Sequence, residues 1–286
     1  MQQLISSVFT ICVRLISFIS HRSAEWLLSK IPRSLKNFND VVSYRGSKFI
    51  VYTGESVGRR MYYYHDFESE QSQILISLAV QGGIFFDIGA NIGFYSILMA
   101  KRGMKVVAFE PFPKLCDFIV GNVTLNEVRD RVSIVPEALS DSCGVTVYNP
   151  PREGNWGVGK IFGKNLDSSK EVNVVNPSIE VKTLTLDDAV KKYGLPSVMK
   201  VDIEGAEYLL LHNKPSILYT DNAPTIFIEF HPSEIELLGG SVAQLKDIFH
   251  NAGYQEYEVN QHQSTVHEWR IFSKSAVGSE FRRVDQ

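Results

Sequence analysis

Cysteine is scarce. Cys12, Cys116 and Cys143 are the only three in 286 residues, with no CxxC pair and no ligand-like spacing. Neither a disulfide framework nor a zinc site is expected, and the count fits a reducing compartment. Excess charge is missing too. A net charge of −3 sets up no global basic field, so nucleic acid is not the expected partner. There is no full-length apolar span. The longest run, LISSVFTICVRLISFI over 4–19, is short for a bilayer and contains Arg14. No basic segment precedes it and no A-x-A site follows, so no cleaved signal peptide is expected. Repeats and low-complexity tracts are also absent. What is present is ordinary globular composition, 44% hydrophobic and 21% charged, with enough apolar material for a sizeable core.

The charge is unevenly placed. Residues 1–60 carry nine of the 29 Lys/Arg but only three of the 32 Asp/Glu. Ser6, Ser7, Thr10, Arg14, Ser17 and His21 recur every three to four residues, so a helix would gather them on one face. Residues 1–45 therefore read as an amphipathic helical extension. It either packs on its own domain or a partner subunit, or lies on a membrane surface through residues 1–36, helped by Arg22, Lys30, Arg33 and Lys36. The expected location is cytoplasmic, with peripheral membrane contact.

Residues 46–275 form the expected main domain, and 276–286 a tail. KFIVY (48–52) and RMYYY (60–64) flank a turn-rich segment and suggest a hairpin. A helix is expected over 69–80, before Gly82-Gly83. Apolar runs at 84–88, 105–109, 132–135, 198–203 and 225–230 read as buried strands. Helical patterns at 92–102, 113–126, 185–193, 205–212 and 241–251 separate most of them. This alternation predicts an α/β fold with a mostly parallel sheet covered on both faces. Runs at 254–259 and 268–273 would close it as an antiparallel hairpin. Residues 149–178, rich in Gly, Pro, Asn and Ser, are too long for an idle connection and suggest a lid or binding loop.

The first strand ends in FFDIGANIGFYS (85–96). In open α/β sheets, ligands sit outside the carboxyl ends of strands. Gly89 and Gly93 let backbone approach a ligand. A dinucleotide site would carry GxGxxG here to seat a pyrophosphate; this loop has only GxxxG, preceded by Asp87. A carboxylate there would repel a pyrophosphate and suit an ammonium and a sulfonium, favouring S-adenosylmethionine over NAD. The second strand ends in Glu110, 23 residues after Asp87, at the position that commonly holds ribose hydroxyls.

FFDIGANIGFYS, AFEP, PEALSD, VKTLTLDD, MKVDIEGAE and IEFHP occur in this order. Over roughly residues 60–260 the set resembles the FkbM family of S-adenosylmethionine-dependent methyltransferases. The resemblance implies a Rossmann-like class I fold of seven strands with a C-terminal antiparallel hairpin, and O-methylation of sugar or polyketide hydroxyls. It also implies that Asp87, Gly89, Asn91 and Gly93 line the methionine part of the cofactor, that Glu110 binds the ribose, and that Glu137 and Ala138 flank the adenine with Asp141 nearby.

MKVDIEGAE places Lys200, Asp202, Glu204 and Glu207 within eight residues. Charges on an apolar strand are costly unless paired or functional. Alternation puts Lys200 and Asp202 on one face, and Glu229 and His231 on one face of the fifth strand. Were these strands neighbours, Asp202, Glu204, Glu229 and His231 would converge on one cleft, with Asp202 or His231 available to take a proton. Glu207 reads as an acid in a first helical turn. Three oxygens and an imidazole would also suit a divalent ion, but nothing in the spacing demands one, and no metal is assigned. The expected activity is O-methylation of a sugar, glycolipid or small hydroxylated metabolite. The alternatives are a non-catalytic cofactor-binding module in an assembly, or a methyltransferase with a nitrogen or protein acceptor.

Overall fold

The computed structural model describes residues 11–13, 15–16, 21–30, 36–150, 154–156, 159–161, 177–259, 268–278 and 281–284. Most of the lid expected over 149–178 and much of the membrane segment over 1–36 lie outside them. Helix α1 (His21–Ser29) precedes a hairpin of β1 (Asn39–Tyr44) and β2 (Ser47–Tyr52). The partner of β2 is thus 39–44, not 60–64. The connection is the two-residue turn Arg45-Gly46, both at positive φ (50° and 72°), which matches strand twist in a tight hairpin. The boundary expected at residue 46 falls inside this hairpin. Downstream, the Glu55 carboxylate caps Gly58 N–H and opens α2 (Ser56–Arg59). The chain then continues as a π-helical turn, Arg60–Tyr64, where a strand was expected.

Helix α3 (Ser69–Ser77) leads into β3 (Ile84–Ile88), α4 (Phe94–Lys101), β4 (Lys105–Phe109), α5 (Pro113–Leu125) and β5 (Val132–Val135). Four strands follow: β6 (Glu137–Leu139), β7 (Gly144–Asn149), β8 (Lys160–Ile161) and β9 (Ile179–Leu184). Next come α6 (Leu186–Tyr193), β10 (Val198–Val201), α7 (Glu207–Leu211), β11 (Thr225–Phe230), α8 (Pro232–Leu237), α9 (Val242–Asn251), β12 (Gln255–Glu258), β13 (Glu268–Ser273) and β14 (Arg282–Arg283).

The main sheet runs β14-β12-β13-β11-β10-β3-β4-β5. Strands β5, β4, β3, β10 and β11 are parallel; β13 inserts antiparallel between β11 and β12. This is the expected α/β architecture, with one addition: the tail supplies an eighth, two-residue edge strand on β12. The central strands are buried on both faces, as parallel strands under helices must be. Phe85 and Val106 face one core cluster; Phe86 and Val107 face the other. Helix α4 lies under the hairpin, where Tyr44 and Phe49 pack on Phe94 with ring centroids 5.9 and 5.5 Å apart. Its residues 94–100 are all buried, which explains why it carries no polar stripe. A second sheet, β6-β9-β7-β8, was not foreseen. Strand order reverses between β3 and β10, and there the carboxyl ends open into a cavity.

Candidate active site

A cavity of about 380 Å³ lies along these carboxyl ends, walled by the loop 88–92, by Glu110, Glu137 and Ala138, and by Asp202, Glu204 and Glu229. The loop can pass close to β10 only as glycine. Gly89 has φ +79°, and a Cβ there would stand 1.9 Å from the Asp202 carbonyl oxygen. The N–H groups of Gly89 and Ala90 both donate to the Phe109 carbonyl at 3.0 Å, tying the loop to β4. Asn91 is left-handed, with φ 53°, and its N–H donates to Glu110 Oε2 at 2.9 Å. Gly93 (φ +81°) starts α4. Glu110 also accepts from Phe112 N–H at 2.9 Å. Burial outweighs these two bonds and pushes its carboxyl up to about 7.

Asp87 is not where the sequence reading put it. Its side chain is 0% exposed and does not line the cavity. It accepts from Ser96 Oγ at 2.6 Å and lies 4.0 Å from Lys200 Nζ. Strand parity is the reason: Asp87 sits on the face that α4 covers, in register with Lys200 of β10. Its carboxylate ties the strand to α4 through Ser96, and burial raises its pKa despite Lys200 and Ser96. Asp141 is a second correction. It lies beside a separate small pocket with Ser140, Ser142 and Cys143, where its Oδ1 accepts from Ser140 and Ser142 hydroxyls. Glu137 and Ala138 do reach the main cavity.

Four predicted residues converge because β10 and β11 are neighbours. Lys200 Nζ, buried between them, donates to the Gly89 carbonyl at 2.8 Å and pairs with Asp202 Oδ2 at 3.2 Å. His231, 1% exposed, has Nε2 at 3.8 Å from Asp202 Oδ1, 3.7 Å from Glu204 Oε2 and 3.9 Å from Glu229 Oε2. Its Nδ1 faces Glu207 Oε1 at 3.0 Å. Burial would lower the imidazole, but the Glu207 bond and the charges of Glu207, Asp202 and Glu204 push it up to about 10. These neighbours favour the imidazolium form of His231, which takes up no further proton, over the neutral base expected from the sequence. Burial and the Asp202 charge raise Glu204 to about 7 and Glu229 to about 9. Burial opposes ionisation of Asp202, but Lys200 and His231 hold it below the usual carboxylate range.

Glu207 was read as a helix-dipole residue and turns out to be a partner of His231. It is 0% exposed and accepts the Ile203 N–H at 3.1 Å. Its spacing from Glu204, one helical turn, was the available signal. Trp156 and Tyr148, which also line the cavity, carried no signal beyond being aromatic.

Comparison with known proteins bears on this arrangement. The methyltransferase FkbM domain matches residues 87–256. The hexuronic acid methyltransferase AglP of Haloferax volcanii is 26% identical over 216 residues, 73% of this chain and 81% of that protein. The methyltransferase sdnD of Sordaria araneosa is 30% identical over 151 residues, covering 44% and 58%. The 31-O-demethyl-FK506 methyltransferase FkbM of Streptomyces tacrolimicus is 25% identical over 154 residues, covering 46% and 58%.

Proposed function

Because the chain belongs to the methyltransferase FkbM family, whose donor is S-adenosylmethionine, we propose that it methylates a hydroxyl of a sugar, glycolipid or small hydroxylated metabolite. One observation carries the reading. A single cavity holds a ribose-type carboxylate, Glu110, and three carboxyl groups at the adjoining strand ends, Asp202, Glu204 and Glu229. In this assignment the backbone around Gly89, Asn91 and Gly93 receives the methionine part, Glu110 the ribose, and Glu137 with Ala138 the adenine. The acceptor enters beside Asp202. Its oxygen attacks the methyl carbon, the carbon–sulfur bond breaks with its electron pair going to sulfur, and the hydroxyl proton passes to the carboxylate cluster. Alignment of the two ends is the main contribution expected from the protein. The Haloferax hexuronic acid methyltransferase and the Streptomyces 31-O-demethyl-FK506 methyltransferase support oxygen as the acceptor atom and sugar as one acceptor class.

The test is incubation with methyl-labelled donor and a panel of uronic-acid glycans, glycolipids and polyol metabolites, with products assigned by NMR. A methyl ether is the expected product. Label on nitrogen or carbon, or donor binding with no transfer to any of these acceptors, overturns the reading.

Membrane contact through residues 1–36 belongs to the same proposal. No helix among the described residues is long and apolar enough to cross a membrane. Ile11, Leu15 and Trp26 are exposed, and Lys30 Nζ lies 5.5 Å from the Trp26 ring, a pairing suited to an anionic interface. Deleting residues 1–36 should abolish cosedimentation with anionic vesicles; undiminished sedimentation refutes the contact.

A further inference from the structure

We propose that Asp202, Glu229 and His231, with Glu204 as a fourth ligand, form a divalent-cation site on the acceptor side of the cavity. The ligand atoms of Asp202, Glu229 and His231 all lie within 4.8 Å of one another. His231 Nε2 stands 3.7–3.9 Å from one oxygen each of Asp202, Glu204 and Glu229, beyond hydrogen-bond range. Two atoms bound to one cation at about 2.0–2.2 Å stand roughly 3.0–3.6 Å apart. Small side-chain movements therefore suffice to close the site.

The orientation of His231 is an independent indication. An imidazole that binds a metal gives its other ring N–H to a carboxylate, which fixes tautomer and ring plane. Here Nδ1 faces Glu207 at 3.0 Å, and Glu207 is itself held by the Ile203 N–H. That fully buried pair turns Nε2 toward the three carboxyl groups. Backbone geometry contributes as well. Glu204 has φ 54°, a left-handed conformation uncommon outside glycine, and it swings the carboxylate back over the strand ends. Lys200 does not compete for the site, since it pairs with Asp202 Oδ2 while Oδ1 faces His231.

Three oxygens and one imidazole nitrogen, with no thiolate, suit a hard or borderline ion such as Mn²⁺. Binding would displace the imidazole proton to solvent. Because Asp202, Glu204 and Glu229 line the cavity, the remaining coordination positions face the acceptor. The ligand class that fits them is a hydroxyl beside a second oxygen: a vicinal diol, or the hydroxy-carboxylate edge of a uronic acid. Coordination would lower the hydroxyl pKa and orient its oxygen toward the donor methyl. This acceptor chemistry rests on the transfer reading above; the ion site itself does not.

The experiment is a Mn²⁺ titration of the full chain followed by electron paramagnetic resonance, without donor or acceptor. One saturable site is expected, with spin-echo modulation from one imidazole nitrogen. Glu229→Gln and Asp202→Asn should each weaken binding by about tenfold or more, and Glu137→Gln, at the other end of the cavity, should leave it unchanged. No saturable binding at millimolar Mn²⁺, a bound ion without nitrogen coupling, or equal affinity in the Glu229 variant overturns the site. The nitrogen coupling is read on unmodified protein, so a variant that fails to fold leaves the test intact. Failure here leaves methyl transfer standing, and failure of transfer leaves the ion site standing.

Discussion

Lys200→Met is the sharpest probe of how the site is held together. The lysine is 2% exposed. Its ammonium lies 3.2 Å from Asp202 Oδ2 and 4.0 Å from Asp87 Oδ1, and donates to the Gly89 carbonyl at 2.8 Å. Methionine preserves the apolar length of the side chain and removes the charge. Removing one partner of a buried pair costs about 3–5 kcal/mol, because the remaining charge is left uncompensated. The orphaned Gly89 carbonyl adds about 1 kcal/mol. Asp87 already has a raised pKa from burial, and losing Lys200 raises it further. A carboxyl whose folded pKa exceeds its unfolded value destabilises the fold progressively as pH climbs through the folded value. The deficit should therefore approach about 4–6 kcal/mol at pH 8 and shrink toward pH 5, the direction in which Asp87 takes up a proton and needs less counter-charge. Urea denaturation of both proteins at the two pH values measures it. A deficit below about 1 kcal/mol, or one that is equal at pH 5 and pH 8, would show that Lys200 is not the counter-charge of the site. Asp87→Asn in the Lys200→Met background should recover part of the loss at pH 8.

Glu110→Gln should weaken donor binding by about 10–100-fold, the range expected for hydrogen bonds to a charged group. In the unmodified protein Glu110 titrates near 7, and ionisation is what lets it accept two ribose hydroxyls. Donor affinity is thus present above pH 7 and is lost on acidification below it; calorimetry from pH 6 to 8 should show this trend, flattened in the variant. An unaltered pH profile in Glu110→Gln would exclude the ribose role. Gly89→Ala places a Cβ 1.9 Å from the Asp202 carbonyl oxygen at φ +79°. It should lower unfolding stability by at least about 2 kcal/mol, and a wild-type denaturation midpoint would mean that the loop does not pack as described. Asp202→Asn should keep donor binding and reduce turnover by about 10²–10⁴-fold; full turnover removes Asp202 from the chemistry.

The central sheet was legible because parallel strands under two helical layers must be apolar on both faces, and runs such as IFFDI and KVVAF have no other stable place. The outer parts were harder. RMYYY has strand composition, but Glu55 caps a helix just ahead of it. The true hairpin turns on Arg45-Gly46 rather than on a stronger Asn-Gly signal. The second sheet escaped because β7 and β9 are half-exposed and pair across a long separation, Tyr148 with Ile179. At the site, sequence order placed Asp202, Glu204, Glu229 and His231 at adjacent strand ends, and period-two alternation did the rest. Alternation alone could not show that α4 covers the face carrying Asp87, nor that Glu207 turns back to the imidazole.

The displacement of Asp87 alters the electrostatic argument for the donor without reversing it. Lys200 neutralises that carboxylate below the loop, so the attraction must come from groups that line the cavity. These are Glu68, Glu110, Glu137, Asp202, Glu204 and Glu229, against Arg60 and Lys200. A pyrophosphate would meet six carboxyl groups, offset by those two cations and by the His231 ring behind Asp202, Glu204 and Glu229. Several of these carboxyls are raised toward or above neutrality by burial and mutual repulsion. A sulfonium with an ammonium group relieves that repulsion and lets protons leave, whereas a phosphate compounds it. The preference for a cationic, phosphate-free donor is thus a property of the whole wall, and removing any single carboxylate should weaken it only in part.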